Sequence, residues 1–230
     1  MQEIGSGQMP VFDRAVRLFH WLQLLLLAGL WYSAEQEWYG LHQLLAYTLA
    51  SLVAARLIWG LVGSETARFR HFVPGWRRLR HYLAQKTVVA GHNPLSALMI
   101  LALLLLVTLQ FVSGLMTTDE VMTEGPLYSL VPDWLSSLAG SWHQLGFNLL
   151  LGLVALHVLA ALWHQLRGDK VISAMWHGRK TLPANTPPAR FVASRNYLWL
   201  VLLLFGALLG WQGSAIWPQV LADVQAIAGE

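Results

Sequence analysis

Five long apolar runs dominate this sequence and constrain its fold more than any other feature. A helix needs about 20 mostly apolar residues to cross the hydrocarbon layer of a membrane, which is about 30 Å thick. The runs cover residues 18–33, 41–63, 94–117, 146–166 and 197–213. With 56% hydrophobic and 12% charged residues, the chain is too apolar for an ordinary soluble domain. We therefore predict an all-α, polytopic membrane protein.

The distribution of basic residues predicts the orientation of the spans. All 15 lysine and arginine residues fall in or beside loops on one side of the five runs, and the loops on the other side are acidic. Basic loops stay in the cytoplasm, so we expect the N-terminus inside and the C-terminus outside. These loops suit an anionic lipid surface. A nucleic-acid partner would need aromatic residues interleaved with basic ones on a soluble face, and we predict none.

The chain contains no cysteine. This excludes disulfides, iron–sulfur clusters bound through thiolates and covalent haem attachment through a Cys-x-x-Cys-His motif. Metal chemistry would have to use histidine, carboxylate or methionine ligands.

Four histidines lie in or beside the apolar runs at two matched depths. His157 lies in the fourth run and His143 lies three residues before that run begins, and 14 residues of helix place them on nearly one face and about 21 Å apart. His20 lies near the inner end of the first run, and His42 lies near the outer end of the second. The first and fourth runs cross the membrane in opposite directions, so His20 and His157 lie at the same inner depth. His42 and His143 lie at the same outer depth, and we therefore predict two pairs.

Facing imidazoles across an apolar bundle suit low-spin b haems, which need two axial nitrogens and apolar walls. We predict one haem for each histidine pair. Structural hydrogen bonding between helices is an alternative. A proton relay is another, although relays are often supplemented by carboxylates and none falls in the predicted spans. Zinc is a further alternative, but it would need three or four ligands converging at one place, whereas these histidines are divided two and two between the depths.

Several segments together resemble the di-haem membrane cytochrome b family, which includes bacterial cytochrome b561 proteins and the b-type cytochrome subunits of nickel-iron hydrogenases. They are VFDRAVRLFHW (11–21), LHQLLAYTLASLVAARLIWGLVG (41–63), GHNPLSALM (91–99), SWHQLGFNLLLGLVALH (141–157) and DKVISAMWHGRK (169–180). The resemblance implies a four-helix core with two b haems in residues 1–180, in a bacterial inner membrane. It also implies His20 and His157 as ligands of the inner haem and His42 and His143 as ligands of the outer one. Residues 181–230 would form an inner linker, a fifth membrane helix without a redox role, and a short outer tail.

Four polar residues near the predicted inner interface are candidates for a quinone site: Arg56, His92, Asn93 and His164. Quinone chemistry couples electrons to protons, and histidine exchanges protons near neutral pH. Asn93 could instead cap a helix, Arg56 could bind a haem propionate, and His164 could be an interfacial anchor. Arg17 is a further candidate for a propionate contact.

We predict electron transfer through two b haems between the membrane quinone pool and a periplasmic redox protein, either a cytochrome c or a hydrogenase-like partner. The alternative is a self-contained cytochrome b561-type oxidoreductase such as a superoxide:quinone oxidoreductase. Its anionic substrate would favour a basic outer vestibule, whereas the outer loops here are acidic. A haem carrier is a third possibility, against which double bis-histidine ligation argues. The sequence leaves open whether the chain is an electron-transfer subunit or an enzyme, and the direction of electron flow.

Overall fold

The computed structural model describes residues 6–73, 75, 77, 80, 94–118, 123–183 and 187–229. Five of its helices are long and apolar enough to span a membrane, which confirms the predicted all-α polytopic fold. The described elements are β1 (Ser6–Pro10), α1 (Arg14–Glu35), α2 (Tyr39–Val62), α3 (Phe69–Phe72), α4 (Pro94–Gly114), α5 (Asp133–Leu166), α6 (Val171–His177), β2 (Arg179–Pro183) and α7 (Ser194–Gly229). The predicted membrane runs correspond to α1, α2, α4, α5 and α7.

Two of the spanning helices extend more than ten residues beyond their apolar runs. Helix α5 begins at Asp133 rather than at residue 146, and α7 continues to Gly229 rather than ending at residue 213. Both extensions mix polar and apolar residues, so a search for continuous apolar runs stops short of them. At about 1.5 Å per residue, α7 is about 54 Å long and exceeds the hydrocarbon layer.

Helix α2 is at the centre of the packing. It packs along α7 on one side and against α1 on another, while α4 packs against α5. Its buried residues include Tyr47 and also Leu52, Val53 and Trp59, which belong to the main apolar core. The membrane domain is therefore built from two helical hairpins, α1–α2 and α4–α5, with α7 alongside α2.

The start of α2 is fixed by the second half of α7. A Cβ atom on Gly40 would lie 2.5 Å from the backbone of Gln219 and Val220, so this close approach requires glycine. The Leu41 N–H donates a hydrogen bond of 2.8 Å to the Asp223 carboxylate. The first N–H groups of a helix have no partner within the helix, and the helix dipole favours an anion there. Helix α7 thus supplies the cap of α2 immediately before His42.

A buried polar cluster joins α1, α2 and α7 at their other ends. The Asp13 carboxylate caps α1 by accepting from the Val16 N–H at 2.7 Å, and it also accepts from the Trp59 indole at 3.0 Å. The Tyr197 hydroxyl donates to the Leu52 carbonyl at 3.0 Å. Trp59 and Tyr197 pack edge to face. These contacts satisfy the polar atoms of the Asp13, Trp59 and Tyr197 side chains while linking three spans.

A short antiparallel ribbon connects the N-terminal segment to the segment that follows α6. Strand β1 pairs with β2 so that Ser6 lies opposite Pro183 and Pro10 opposite Arg179. The ribbon adjoins Gly178, which ends α6 in the left-handed region with φ 79° and whose carbonyl accepts from the Val11 N–H at 2.8 Å. The apolar pattern did not predict this ribbon.

Candidate functional site

The structure brings the four membrane histidines together in the two predicted pairs. The ring centroids of His20 and His157 are 6.2 Å apart, and those of His42 and His143 are 6.5 Å apart. Each pair joins one helix of the α1–α2 hairpin to α5. Because α5 is one continuous helix between its two histidines, the pairs are about 21 Å apart along it.

The centroid separations leave space for one metal ion between the rings of each pair. An imidazole nitrogen binds a metal ion at about 2.0–2.1 Å and lies about 1.1 Å from its ring centre, so two axial imidazoles have centroids about 6.3 Å apart. Both observed separations are close to this value. Direct hydrogen bonds between two imidazoles would draw the rings closer. The residues therefore fit the bis-histidine ligation of a b haem, and their role as ligands stays a prediction.

Hydrogen bonds to backbone carbonyls fix the protonation of the outer pair. Nδ1 of His42 lies 3.0 Å from the Leu30 carbonyl oxygen, and Nδ1 of His143 lies 3.0 Å from that of Gln110. A carbonyl oxygen can only accept, so Nδ1 carries the proton in both rings. In a neutral imidazole this leaves Nε2 with its lone pair. Such hydrogen bonds orient metal-binding histidines and raise their basicity.

The inner pair has different surroundings. Nδ1 of His20 is buried and has no hydrogen-bond partner in the described part of the chain. The His20 ring contacts the Trp21 ring edge to face, with centroids 5.0 Å apart, and His157 is partly buried. A buried polar atom without a partner is rare in native proteins and is a mark of a binding site.

A cavity of about 1330 Å³ surrounds the outer pair. Both His42 and His143 line it, and its aromatic walls include Tyr47, Phe111 and Phe147. Pockets for small ligands are usually about 300–1,000 Å³ and mostly apolar, so this space is ample for a macrocycle. The cavity thus supplies the apolar enclosure that a b haem requires.

Arg17 and Arg56 lie at the predicted inner ends of their helices, in different environments. The Arg17 guanidinium donates from Nη1 to the Trp176 carbonyl at 2.7 Å. The Arg56 side chain is buried, lies 5.3 Å from the centre of the Phe69 ring, and has an Nη1 atom without a hydrogen-bond partner among the described residues. Neither arginine lines the outer cavity. Their predicted roles toward a propionate or a quinone remain predictions.

His164 contacts Asp169 just beyond the end of α5. Its Nδ1 atom lies 3.3 Å from the Asp169 carboxylate, which also pairs with Lys180. His92 and Asn93, the other two candidates for the quinone site, lie outside the described residues. Of the four candidates for the quinone site, only Arg56 and His164 therefore lie within the described residues.

Several residues at the site were missed by the sequence analysis. Gln110 and Ser113 hold His143, since the Ser113 hydroxyl lies 3.1 Å from Nδ1 and the Gln110 side-chain amide donates to the His143 carbonyl. The signal available in the sequence for these two residues was that they are polar and lie inside the most apolar run.

Within the described ranges, no group of three or more His, Cys, Asp or Glu residues could hold a metal ion, so the zinc alternative gains no support there.

Comparison with known proteins gives one family. The sequence profile described as prokaryotic cytochrome b561 matches residues 11–178, a range that contains all four paired histidines. The chain is 25% identical over 211 residues to a protein of Escherichia coli strain K12 named "Probable Ni/Fe-hydrogenase 1 B-type cytochrome subunit", covering 74% of this chain and 90% of that protein. It is 26% identical over 160 residues to the "Probable Ni/Fe-hydrogenase B-type cytochrome subunit" of Cupriavidus necator, covering 61% and 66% respectively. No solved structure matches the chain.

Proposed function

The chain belongs to the prokaryotic cytochrome b561 family, and from that premise we propose that it carries electrons across the bacterial inner membrane through two b haems. Membership of this family supports membrane electron transfer and a haem b cofactor. We assign one haem to His20 and His157 and the other to His42 and His143. The presence of two imidazole pairs with the spacing of axial ligands is the observation that carries this assignment.

Haem b, when bound, supplies reversible one-electron chemistry, and the protein supplies its position and electrostatic surroundings. His42 and His143 donate hydrogen bonds from Nδ1 to the Leu30 and Gln110 carbonyls, which leaves the Nε2 lone pair of each ring available to bind iron. The apolar walls of the outer cavity would lower the local dielectric around a bound haem. The inner pair lacks a carbonyl contact at Nδ1 of His20 in the described structure, so we expect the two haems to differ in potential.

The positions of the two pairs support transfer between the membrane faces. Helix α5 separates His143 from His157 by about 21 Å, a large part of the hydrocarbon layer. The distribution of basic residues supports a cytoplasmic position for His20 and His157 and a periplasmic position for His42 and His143. We accordingly propose that the N-terminus is cytoplasmic and the C-terminus periplasmic.

We propose that a periplasmic redox protein exchanges electrons with the outer pair and that quinone exchanges electrons near the inner pair. The names of both relatives refer to a Ni/Fe-hydrogenase, which supports a hydrogenase-like partner, and a cytochrome c is the other candidate. On the cytoplasmic side, His164 and its Asp169 contact offer a site for proton exchange with a quinone.

The alternative function is that of a self-contained oxidoreductase, such as a superoxide:quinone oxidoreductase. Glu35 and Asp133 are among the residues that line the outer cavity. Carboxylates at this position would repel an anionic substrate and slow its entry, which ranks this function below electron exchange with a protein partner.

A haem count on purified protein tests the assignment. The pyridine haemochrome assay should give two b haems per chain for the wild-type protein. His157→Ala and His143→Ala should each leave one, whereas His71→Ala and His177→Ala, which change histidines outside the spanning helices, should leave two. Two haems in either ligand variant, or fewer than two in the folded wild-type protein, would contradict the assignment.

Electron donors distinguish the two functions. In liposomes that contain the protein, a quinol analogue and a reduced periplasmic donor should each reduce the haems, and superoxide alone should not. Rapid haem reduction by superoxide without any protein donor would favour the self-contained oxidoreductase.

A further inference from the structure

A second cavity, of about 540 Å³, lies between the start of α1, the end of α6 and the start of α7. Arg14, Arg17 and Arg195 line it together with Trp21 and Trp176. All the charged residues in its described lining are arginines. It is separate from the outer cavity, and the proposed electron transfer gives it no part except the predicted propionate contact of Arg17.

The layout of this cavity matches a membrane interface. Arg14 begins α1 and Arg195 is the second residue of α7, on the side of the membrane where the basic loops lie. The Trp21 and Trp176 rings pack edge to face, with centroids 5.2 Å apart, as expected of an interfacial aromatic belt. Leu18 and Leu198 extend the lining with apolar surface one helical turn further along α1 and α7.

The three arginines have no ion-pair partner among the residues that the structure describes. Arg17 has one contact to a neutral group, the Trp176 carbonyl, and its Nε atom is buried without a hydrogen-bond partner among the described residues. Guanidinium groups bind phosphate oxygens through paired N–H donors, so an anion with several oxygens would satisfy this site.

We propose that this cavity binds the phosphate headgroup of an anionic phospholipid from the cytoplasmic leaflet, with the acyl chains along Leu18 and Leu198. Basic pockets between membrane helices on the cytoplasmic side are typical sites for acidic lipids. A neutral quinone headgroup would leave the arginine charges uncompensated, and free phosphate would leave the apolar lining exposed. The lipid would join α1, α6 and α7 beside Trp21, the residue that follows His20.

Native mass spectrometry of the delipidated full chain tests the proposal. Phosphatidylglycerol and phosphatidylcholine with the same acyl chains are the two probes. The wild-type protein should prefer phosphatidylglycerol, and Arg14→Gln with Arg195→Gln should reduce its binding about 30-fold, or about fivefold per charge removed. Both residues are exposed, so circular dichroism should show the helices intact. Arg167→Gln with Arg190→Gln is the matched control, because it removes two exposed arginines from the same side away from the cavity.

Three results would overturn the lipid site. Equal binding of the two lipids would remove the charge selectivity, and equal losses in the cavity and control variants would indicate only a general surface effect. Displacement of phosphatidylglycerol from the wild-type protein by a short-chain quinone or by inorganic phosphate would assign the cavity to that ligand. Because the readout is bound lipid rather than haem or electron transfer, its failure is distinct from a failure of the proposed function.

Discussion

Replacing Gly114 with alanine should perturb the outer histidine pair through His143. A Cβ atom on Gly114 would lie 3.0 Å from Cε1 of His143 and 3.4 Å from Nδ1. Carbon atoms pack at about 3.5–4.0 Å, so the ring would have to move by about 0.5 Å. Nδ1 is held by the Gln110 carbonyl at 3.0 Å and lies 3.1 Å from the Ser113 hydroxyl. A displacement of this size is as large as the whole usual range of about 2.7–3.2 Å, so we expect it to lengthen at least one of these contacts.

The size of the effect follows from the weakened hydrogen bond. A typical hydrogen bond contributes about 0.5–1.5 kcal/mol, and partial loss should change the balance between oxidised and reduced iron by about 0.5–1 kcal/mol. The Nδ1–H contact raises the basicity of the ligating nitrogen, which favours the more positive, oxidised iron. Weakening it should raise the outer haem potential by about 20–40 mV for a one-electron couple.

Redox titration of the visible haem bands measures this shift, and Gly152→Ala is the matched control. Gly152 is also in a membrane helix, but its added Cβ would meet no heavy atom within 4 Å. The His143→Ala protein identifies the outer component as the one it lacks. The reasoning is refuted if Gly114→Ala leaves both potentials unchanged, if Gly152→Ala produces the same shift, or if the shift occurs in the component that survives in His143→Ala.

Three further predictions concern the ends of the helices. Asp223→Ala should lower the free energy of unfolding by about 1–3 kcal/mol, because the Leu41 N–H loses a charged acceptor at a helix N-terminus; an unchanged thermal midpoint would contradict this. The backbone N–H of Arg190 lowers the pKa of Glu65, so its carboxylate should stabilise the fold at neutral pH and lose that effect as the pH falls from 4.5 through the lowered pKa. Glu65→Gln should flatten this acid-side decline in melting temperature, and an identical decline would exclude the contact as its cause. His164→Ala should slow haem reoxidation by quinone with two haems still bound, and unchanged kinetics would place the quinone elsewhere.

The pairing of the histidines was predictable because a helix has a fixed rise and turn per residue. Counting 14 residues between His143 and His157, and noting the opposite directions of successive spans, was enough to match the depths of His20 and His42. The structure places the rings of each pair at a separation that suits metal ligation. Depth requires no knowledge of side-chain contacts, which explains why sequence alone was sufficient.

Contacts between distant parts of the chain were not predictable in the same way. Asp223 caps α2 from a part of α7 that looked like an outer tail, because hydropathy falls where a helix leaves the membrane while its hydrogen bonding continues. The pairing of β1 with β2 involves two short segments without an alternating apolar pattern. Gln110 was recognisable as a polar residue in an apolar run, but its partner depends on how α4 faces α5.

The ribbon between β1 and β2 has a consequence for biosynthesis. Ser6 emerges from the ribosome long before its partner Pro183, and at about 5–20 residues per second β1 waits about 9–35 s for β2. During that interval the α1–α2 hairpin enters the membrane with His20 and His42, while α5 and both of their partners are still being made. A nascent chain arrested before residue 133 should therefore retain no bis-histidine haem. Under the proposed two-haem assignment, loading of both haems is then a late step of assembly, close to the moment when the ribbon closes.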